Sequence, residues 1–212
     1  MEIGDPLSAD FDGYEVDLMR GVAARLEVQP RYRVAVWSKI LEELEAGEID
    51  AICTAATVTP DRAARFDLSR PYLEIELVLV VRDGIEVAVP ADARGKRFGL
   101  RSATVAERYT RERLDPGSVI ETEYNEEMYA ELSRGGTDVV VDDSPIATHF
   151  ARTLPGLRVA ARLPDTRSHY AMMFAKRSAL REVVDVALEG LESDGSAPAS
   201  RRKWFGDSSL SV

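Results

Sequence analysis

The chain has 212 residues, of which 45% are hydrophobic and 30% are charged, and its formal net charge is −10 at pH 7. This length allows one large domain or two lobes of about 100 residues each. The apolar fraction excludes disorder along the whole chain, and the negative charge argues against a nucleic-acid-binding protein, which needs clustered Lys and Arg. The lone Cys53 excludes an internal disulfide framework and a CxxC zinc site, and no apolar run reaches the roughly 18–20 residues of a membrane helix.

The first residues, MEIGDP, lack the basic region, the apolar region and the small-residue cleavage site of a signal peptide. Two interpretations follow from this start. Either the protein is cytoplasmic, or the sequence lacks its export segment.

Strand-like and helix-like segments alternate along the chain. Helices are predicted where apolar residues recur at helical spacing, as Leu18, Val22 and Leu26 do, and strands where short runs are apolar or alternate. In chain order we predict a helix at 17–26, a strand at 31–36, a helix at 38–46, strands at 50–55, 75–81 and 97–100, a helix at 105–114, a strand at 119–123, a helix at 126–134, a strand at 138–141, a helix from 145, an apolar stretch at 171–174 and a helix at 179–191. Strands separated by helices predict an α/β fold with largely parallel sheets.

One local pattern occurs twice. Leu44-x-x-Gly47-x-x-Asp50 and Leu132-x-x-Gly135-x-x-Asp138 are each followed by apolar residues, as when a helix ends in a tight turn and a buried strand follows. Chance is one explanation, since such turns are common in α/β proteins. The other is two lobes of one plan, with a ligand cleft between them at the carboxyl ends of the strands.

The residues after the first buried strand suggest an anion site. Thr59 followed by Pro60 starts a helix, whose free N–H groups suit a carboxylate. Arg62 lies in the first turn, where its charge opposes the helix dipole, yet a guanidinium is a natural bidentate partner for a carboxylate. The alternative is a surface arginine, or one paired with Asp61 or Asp67.

The second buried strand ends in two carboxylates, Asp142 and Asp143, before a helix start at Ser144-Pro145. Such a pair can hold an ammonium group or a divalent cation, or one member can simply cap the helix. An aspartate facing the cleft from one lobe and Arg62 facing it from the other would be complementary to a zwitterion.

Three further positions have both a structural and a functional interpretation. Thr104 and Glu107 form a capping box, which also exposes helix N–H groups to a cleft. Arg101 precedes this turn and reaches either the cleft or solvent. Trp37 is either a core residue or an aromatic wall of a site. The sequence contains no G-x-S-x-G, P-loop, G-x-G-x-x-G or H-E-x-x-H motif.

At this point the chain resembles a known family, the family 3 extracellular solute-binding proteins, which are amino-acid receptors of ABC transporters with the type 2 periplasmic binding fold. The resemblance extends from about Gly13 to Gly206, and the T-x-T-x-x-R…S-x-P-Y block is its most specific part. The matching segments are 13–18 (GYEVDL), 37–50, 57–62 (TVTPDR), 66–72 (FDLSRPY), 95–99, 102–104, 138–145 (DVVVDDSP), 194–195 and 203–206 (KWFG).

The resemblance implies roles for nine residues. Arg62 binds the α-carboxylate of the ligand, assisted by Thr57 and backbone groups around Ala55, and Asp143 binds the α-ammonium group. The remaining ligand-binding residues that it implies are Trp37, Arg101, Thr104, Val105 and Asp142. The ligand side chain stays open, because Arg101 favours an acidic or amide group and Asp142 favours a basic one.

The resemblance also implies the architecture: a two-lobed fold of the periplasmic-binding-protein type 2, each lobe a mixed, mostly parallel sheet flanked by helices, with two hinge crossovers near 77–81 and 169–174. Lobe 1 comprises 1–81 and 170–212, and lobe 2 comprises 82–169. The expected function is to bind an amino acid or related zwitterion in the cleft and deliver it to a membrane permease. We expect a monomer in the periplasm or at the cell surface after export, with no cofactor, no metal and no enzymatic activity.

Two alternatives belong to other functional classes. One is an enzyme on the same fold, similar to cyclohexadienyl or arogenate dehydratase, for which Asp142 or Glu107 is the only candidate general acid. The other is the ligand-sensing domain of a larger receptor.

Overall fold

A computed structural model describes residues 2–3 and 11–206 of the chain. Most of the segment 1–6, on which the export interpretation rests, therefore lies outside the described residues. The elements, in chain order, are β1 (Glu2–Ile3), β2 (Asp12–Gly13), α1 (Tyr14–Arg25), α2 (Ile40–Glu45), α3 (Pro60–Arg65), β3 (Asp67–Leu68), β4 (Leu73–Ile75), β5 (Leu77–Arg82), a 3-10 helix (Pro90–Ala93), β6 (Arg97–Arg101), α4 (Val105–Arg113), β7 (Ser118–Thr122), α5 (Asn125–Ser133), β8 (Val139–Asp143), α6 (Ser144–Thr153), β9 (Leu157–Arg162), β10 (Ser168–Tyr170), β11 (Met173–Phe174), α7 (Leu180–Ser193) and α8 (Ser196–Phe205).

The chain divides into two compact units. Unit 1 comprises Met1–Glu74 and Ser168–Val212, and unit 2 comprises Ile75–Arg167. The sequence placed the boundaries after residues 81 and 169. The first boundary differs because β5 pairs with β8 and β9, both of which lie inside unit 2.

Unit 2 is built on a five-stranded mixed sheet with the order β7-β6-β8-β5-β9. β6 pairs in parallel with β7 and β8, whereas β5 pairs antiparallel with β8 and β9. Helices flank this sheet, which gives the α/β architecture that the sequence predicted. Two of the four pairings are parallel, so the parallel share is smaller than the alternation of strands and helices suggested.

The central strands of unit 2 are apolar because both of their faces are buried. Leu77, Leu79 and Val81 point to one face, where they pack with Val139 and Val141 of β8 in one apolar cluster. Helix α5 contributes buried residues that contact β6 and β8. This double burial explains the uninterrupted apolar run that ends at the carboxylates of β8.

Unit 1 has short strands and longer helices. Its pairs β1–β2 and β3–β11 are antiparallel, and β4 pairs with β10. Helices α1, α7 and α8 pack against one another. The predicted strands at 31–36 and 50–55 are not regular strands: 31–36 is irregular, and Ile52 makes only an isolated bridge to Met173. At the end of the second segment, Ala55 has a φ of 50°, which turns the chain out of the extended conformation.

The predicted helices are confirmed with ends shifted by at most three residues. The elements that were not predicted include β3, the 3-10 helix, β9 and α8. Strand β9, LRVAAR, is only partly buried, so it has a weak alternation of apolar and polar residues. Helix α8, SAPASRRKWF, begins at Ser196 and has no clear apolar stripe.

Candidate functional site

The predicted site residues form two groups, one in each unit. We call Trp37, Ala55, Thr57 and Arg62 the Arg62 cluster, and Arg101, Thr104, Val105, Asp142 and Asp143 the Asp143 cluster. The Arg62 cluster lies in unit 1 and the Asp143 cluster in unit 2. Each is described by itself.

Glu15 of α1 stabilises the turn at Ala55 by accepting hydrogen bonds. The N–H of Ala55 donates to Oε1 of Glu15 at 2.7 Å, and the hydroxyl of Tyr72 donates to the same oxygen at 3.0 Å. Glu15 is buried, and its hydrogen bond with Tyr72 is made away from water, whereas the one with Ala55 is partly buried. They stabilise the left-handed conformation of Ala55, which costs energy for any residue with a Cβ atom.

Arg62 is buried at the start of α3. Thr59 caps this helix, accepting a hydrogen bond from the Arg62 N–H at 3.2 Å, and Pro60 is the first helical residue, as the sequence predicted. Nη1 of Arg62 donates to the carbonyl oxygen of Thr57 at 2.8 Å, and the guanidinium carbon lies 5.2 Å from the centre of the Trp37 ring. The Thr57 carbonyl oxygen and the Trp37 ring together orient the planar guanidinium of Arg62.

These contacts bring three predicted residues together, because Arg62 touches both Trp37 and Thr57. Arg62 is 9% exposed, which does not fit a surface arginine. Asp67, one of the partners considered for it, instead forms an ion pair with Lys176 and accepts the N–H of Arg177. A buried guanidinium oriented in this way is suited to a carboxylate.

In unit 2, the parallel pairing of β6 with β8 brings Arg101 close to the aspartates. Phe98 is opposite Val139 and Gly99 is opposite Val140, so both strands run towards the same edge of the sheet. Nε of Arg101 donates to the carbonyl oxygen of Glu123 at 3.2 Å.

Asp142 is held on both of its oxygens. The Tyr129 hydroxyl of α5 donates to Oδ2 at 3.1 Å, and the Asp143 N–H donates to Oδ1 at 2.8 Å. Burial, and then the negative charge of Asp143, raise the pKa of Asp142 to about 8. Asp142 is therefore held by hydrogen bonds inside unit 2, and its role towards a ligand stays a prediction.

Asp143 ends β8 and occupies the N-cap position of α6. It is 9% exposed, and among the described residues its side chain makes no capping hydrogen bond to that helix. Capping, the alternative role considered for these aspartates, is therefore not what holds the Asp143 side chain.

Thr104 and Glu107 form the predicted capping arrangement at the start of α4. The Thr104 hydroxyl donates to the carbonyl oxygen of Arg101 at 2.8 Å and accepts the N–H of Glu107 at 3.1 Å. Oε2 of Glu107 accepts the N–H of Ala103 at 2.8 Å. Val105 is the first residue of α4, and its side chain packs against the apolar cluster of unit 2.

Two residues to which the sequence gave no role support these clusters, Glu15 and Tyr129. Glu15 has a recognisable signal, because it is an acidic residue between the apolar Tyr14 and Val16 in a buried first helical turn. Tyr129 has none, because an aromatic residue in a partly buried helix is ordinary.

Residues 2–3 and 11–206 contain no group of three or more His, Cys, Asp or Glu that could hold a metal ion. No helix in this part of the chain is long and apolar enough to cross a membrane.

Comparison with known proteins places the chain in a family. The sequence model of the bacterial extracellular solute-binding proteins, family 3, matches residues 6–207. The ABC transporter arginine-binding protein 1 of Escherichia coli K12 is 21% identical over 198 residues, which cover 91% of this chain and 81% of that protein.

Solved structures agree with this match. The arginine-, lysine-, histidine-binding protein ArtJ of Geobacillus stearothermophilus superposes with a TM-score of 0.89 at 27% identity, covering 97% of this chain and 90% of the other. The ancestral amino acid-binding protein AncCDT-1, a precursor of cyclohexadienyl dehydratase, has a TM-score of 0.86 at 24% identity, covering 96% and 89%. The second likeness, at this identity, shows the fold alone. The chain belongs to the bacterial extracellular solute-binding proteins of family 3.

Proposed function

We propose that this protein binds an amino acid or a related zwitterion and delivers it unchanged to the permease of an ABC transporter. The ligand carboxylate binds to Arg62, with Thr57 and backbone groups around Ala55 assisting, and its ammonium group binds to Asp143. The observation that carries the proposal is the buried Arg62 guanidinium, oriented by the Thr57 carbonyl oxygen and the Trp37 ring. Named relatives of the chain, among them an arginine-binding protein, support an amino acid as the ligand.

Arg62 carries a positive charge and Asp143 a negative charge. Together they suit a zwitterion, which has both a carboxylate and an ammonium group. A guanidinium donates two parallel hydrogen bonds to a carboxylate, and a carboxylate accepts hydrogen bonds from an ammonium group. Each buried charge-assisted hydrogen bond contributes about 1.5–3 kcal/mol, so two anchors at opposite ends fix an amino-acid backbone. An amino acid with any side chain can make these contacts, provided that its carboxylate and ammonium groups are free to bind.

Isothermal titration calorimetry with the twenty amino acids tests the binding. Arg62→Lys keeps the charge but loses the planar fork, so we expect the Kd of the best ligand to rise at least ~10-fold. Arg65→Ala is the matched control on α3: Arg65 is exposed and pairs with Glu45, so this variant should bind as the wild type does. Equal affinities for wild type and Arg62→Lys would contradict the role of Arg62.

The enzyme alternative is less well supported by the contacts of its candidate general acids. Both oxygens of Asp142 accept hydrogen bonds from groups of unit 2. Glu107 accepts the N–H of Ala103 and also pairs with Arg111 on its own helix. A general acid must reach the proton acceptor of its substrate, whereas both carboxyl groups already bind groups of their own unit.

Incubation with prephenate and with arogenate distinguishes the two functions. We expect neither compound to be consumed, while an amino acid binds reversibly and is recovered intact. Release of carbon dioxide and water from either substrate at a rate proportional to protein concentration would support the enzyme instead.

The permease partner, the export and the monomeric state belong to the same proposal, and membership of a family of extracellular solute-binding proteins supports the export. Reconstitution tests the partner: the candidate permease in proteoliposomes should take up labelled amino acid only when this protein is added. An Arg62→Ala variant should give no uptake. Uptake that is independent of the protein would contradict its role in delivery.

A further inference from the structure

We propose that Asp142 is a positioning residue for Asp143, acting through a hydrogen-bonded unit with Tyr129, and is not a second carboxylate for the ligand. This inference rests on the proposed function, which assigns the ligand ammonium group to Asp143. It assigns different roles to two adjacent aspartates that cannot be distinguished from the sequence.

The geometry of β8 places the side chains of Asp142 and Asp143 on opposite faces of the sheet. Successive side chains of a strand point to opposite faces. Val139 and Val141 of β8 belong to the apolar cluster on one face of the sheet, so Asp142 lies on the other face, where it meets Tyr129 of α5. Asp142 is 7% exposed and both of its oxygens accept hydrogen bonds.

Tyr129 is fixed independently of Asp142. Its ring is fully buried and stacks on Phe150 of α6, with 4.0 Å between the ring centres and 13° between the planes. A buried phenol hydroxyl needs a hydrogen-bond partner, and Asp142 provides it. The packing of the Tyr129 ring therefore fixes the position of its hydroxyl, which binds Asp142. Asp142 in turn accepts a hydrogen bond from the backbone N–H of Asp143.

The surroundings favour an uncharged Asp142. Burial and the negative charge of Asp143 raise the pKa of Asp142 to about 8. The hydrogen bonds from the Asp143 N–H and the Tyr129 hydroxyl, and the charge of Arg101, act in the opposite direction and lower it. The other elements that pack on β8 add little charge: β5 presents Val78 opposite Asp142. On the face of Asp142, the Tyr129 ring stacks on Phe150 of α6, and His149 lies edge-on to the Phe150 ring.

In a protonated Asp142 the same atoms stay in contact, but the hydrogen bond with Tyr129 reverses direction. Oδ1 still accepts the Asp143 N–H, while Oδ2 donates its proton to the Tyr129 oxygen. The negative charge of the pair then rests on Asp143, where the ligand ammonium group binds. An ionised Asp142 would add a second buried negative charge beside it, which is unfavourable.

Asparagine at position 142 mimics this protonated acid, which provides the test. Its carbonyl oxygen can accept the Asp143 N–H and its amide group can donate to Tyr129. In calorimetry at pH 7 we expect Asp142→Asn to bind the best amino acid within ~3-fold of wild type, and Asp143→Asn to lose ~50-fold or more. Asp142→Ala, which removes the link, should lose ~10-fold. Glu126→Gln, an exposed carboxylate on α5, is the control and should not change the affinity.

The pH profile provides a readout that a purely structural role would not change. Between pH 6.5 and 9.5 the Kd of Asp142→Asn divided by that of wild type should rise several-fold, because only wild type gains a charge near the ammonium site. The titration of the ligand cancels in this ratio. A constant ratio, or an Asp142→Asn variant as weak as Asp143→Asn, overturns the inference.

A measurement without ligand keeps this inference separate from the proposed function. The folded-state pKa of Asp142 lies near 8 and the unfolded value near ~4, so the contribution of Asp142 to stability decreases as pH rises between these values. The urea midpoint of Asp142→Asn minus that of wild type should therefore increase from pH 4 to pH 8. A flat difference contradicts the uncharged Asp142 even if no amino acid binds, whereas failure of every amino acid to bind contradicts only the proposed function.

Discussion

At the scale of single residues, Glu15 has the most consequence for the Arg62 cluster. It is 2% exposed, and its Oε1 accepts two hydrogen bonds, from the Ala55 N–H at 2.7 Å and the Tyr72 hydroxyl at 3.0 Å. Ala55 has a φ of 50°, which a residue with a Cβ atom adopts only when its surroundings hold it there. Glu15 is thus the residue that holds the turn before Thr57.

Replacing Glu15 tests this role. Glu15→Ala leaves the buried Tyr72 hydroxyl and the partly buried Ala55 N–H without their acceptor, so we expect the free energy of unfolding to fall by about 2 kcal/mol or more. Tyr72→Phe removes one of the two hydrogen bonds and should cost about 1 kcal/mol. Urea denaturation followed by circular dichroism measures both. If both variants have the same midpoint as wild type, Glu15 does not hold the turn.

At the scale of elements, the repeated L-x-x-G-x-x-D pattern corresponds to one turn geometry. Gly47 after α2 and Gly135 after α5 both have a positive φ, 72° and 82°. Their N–H groups donate to Leu44 and Leu132, and the next residue in each case donates to a carbonyl oxygen five residues earlier. This is the Schellman turn that ends many helices at glycine.

The segments that follow the two turns differ. Asp138 enters β8 and accepts hydrogen bonds from Nε and Nη2 of Arg97 at 3.0 and 2.7 Å, and from Arg82 at 3.3 Å. Asp50, in the equivalent position of the pattern, is exposed and precedes a segment with a single isolated bridge. The pattern therefore fixes the helix end, and the partners of the next residues decide whether a strand forms.

The ion pairs at Asp138 make unit 2 sensitive to acid. Hydrogen bonds from Arg97, opposed in part by burial, lower the pKa of Asp138 to about 2, below the unfolded value near ~4. Its contribution to stability is therefore present above pH ~4 and is lost as pH falls towards 2. With solvent screening, Asp138→Asn should cost about 1 kcal/mol at pH 7 and almost nothing at pH 2.

Urea midpoints of wild type and Asp138→Asn at pH 7, 4 and 2 measure this difference. Asp83→Asn, an exposed carboxylate at the end of β5, is the control and should follow wild type at each pH. A destabilisation by Asp138→Asn that is as large at pH 2 as at pH 7 would show that the ion pairs are not its cause.

At the scale of the whole molecule, ligand binding and stability are linked. A ligand that binds only the folded state stabilises it by about 2.7 kcal/mol at 100 times its Kd. For a chain of this length each kcal/mol raises Tm by about 2–4 °C, so the best amino acid should raise Tm by about 5–10 °C.

Differential scanning fluorimetry against the twenty amino acids measures this shift. Arg62→Ala and Asp143→Asn should keep folded baselines but lose the shift, since each removes one charged anchor. A shift of unchanged size in both variants would mean that the ligand binds elsewhere.

Much of the fold and part of the site could be predicted from the sequence. Helix α3 and the position of Arg62 in its first turn follow from Thr59 and Pro60, because capping is decided by neighbouring residues. The resemblance assigned Trp37, Thr57 and Arg62 to the ligand site, and Arg62 contacts both of the other two residues. The roles of the site residues towards a ligand remain predictions.

Features that depend on nearby residues follow from the sequence: the helix starts at Thr59 and Thr104, the glycine turns at Gly47 and Gly135, and the apolar strands of the mixed sheet. Which carboxylate is bound by Tyr129 does not, because Asp142 and Asp143 are identical in type, adjacent in sequence and both buried. Their difference comes from Tyr129 on another element, whose hydroxyl reaches one of them and not the other. The same holds for β5, whose place in unit 2 depends on its pairing with β8 and β9, both distant in sequence.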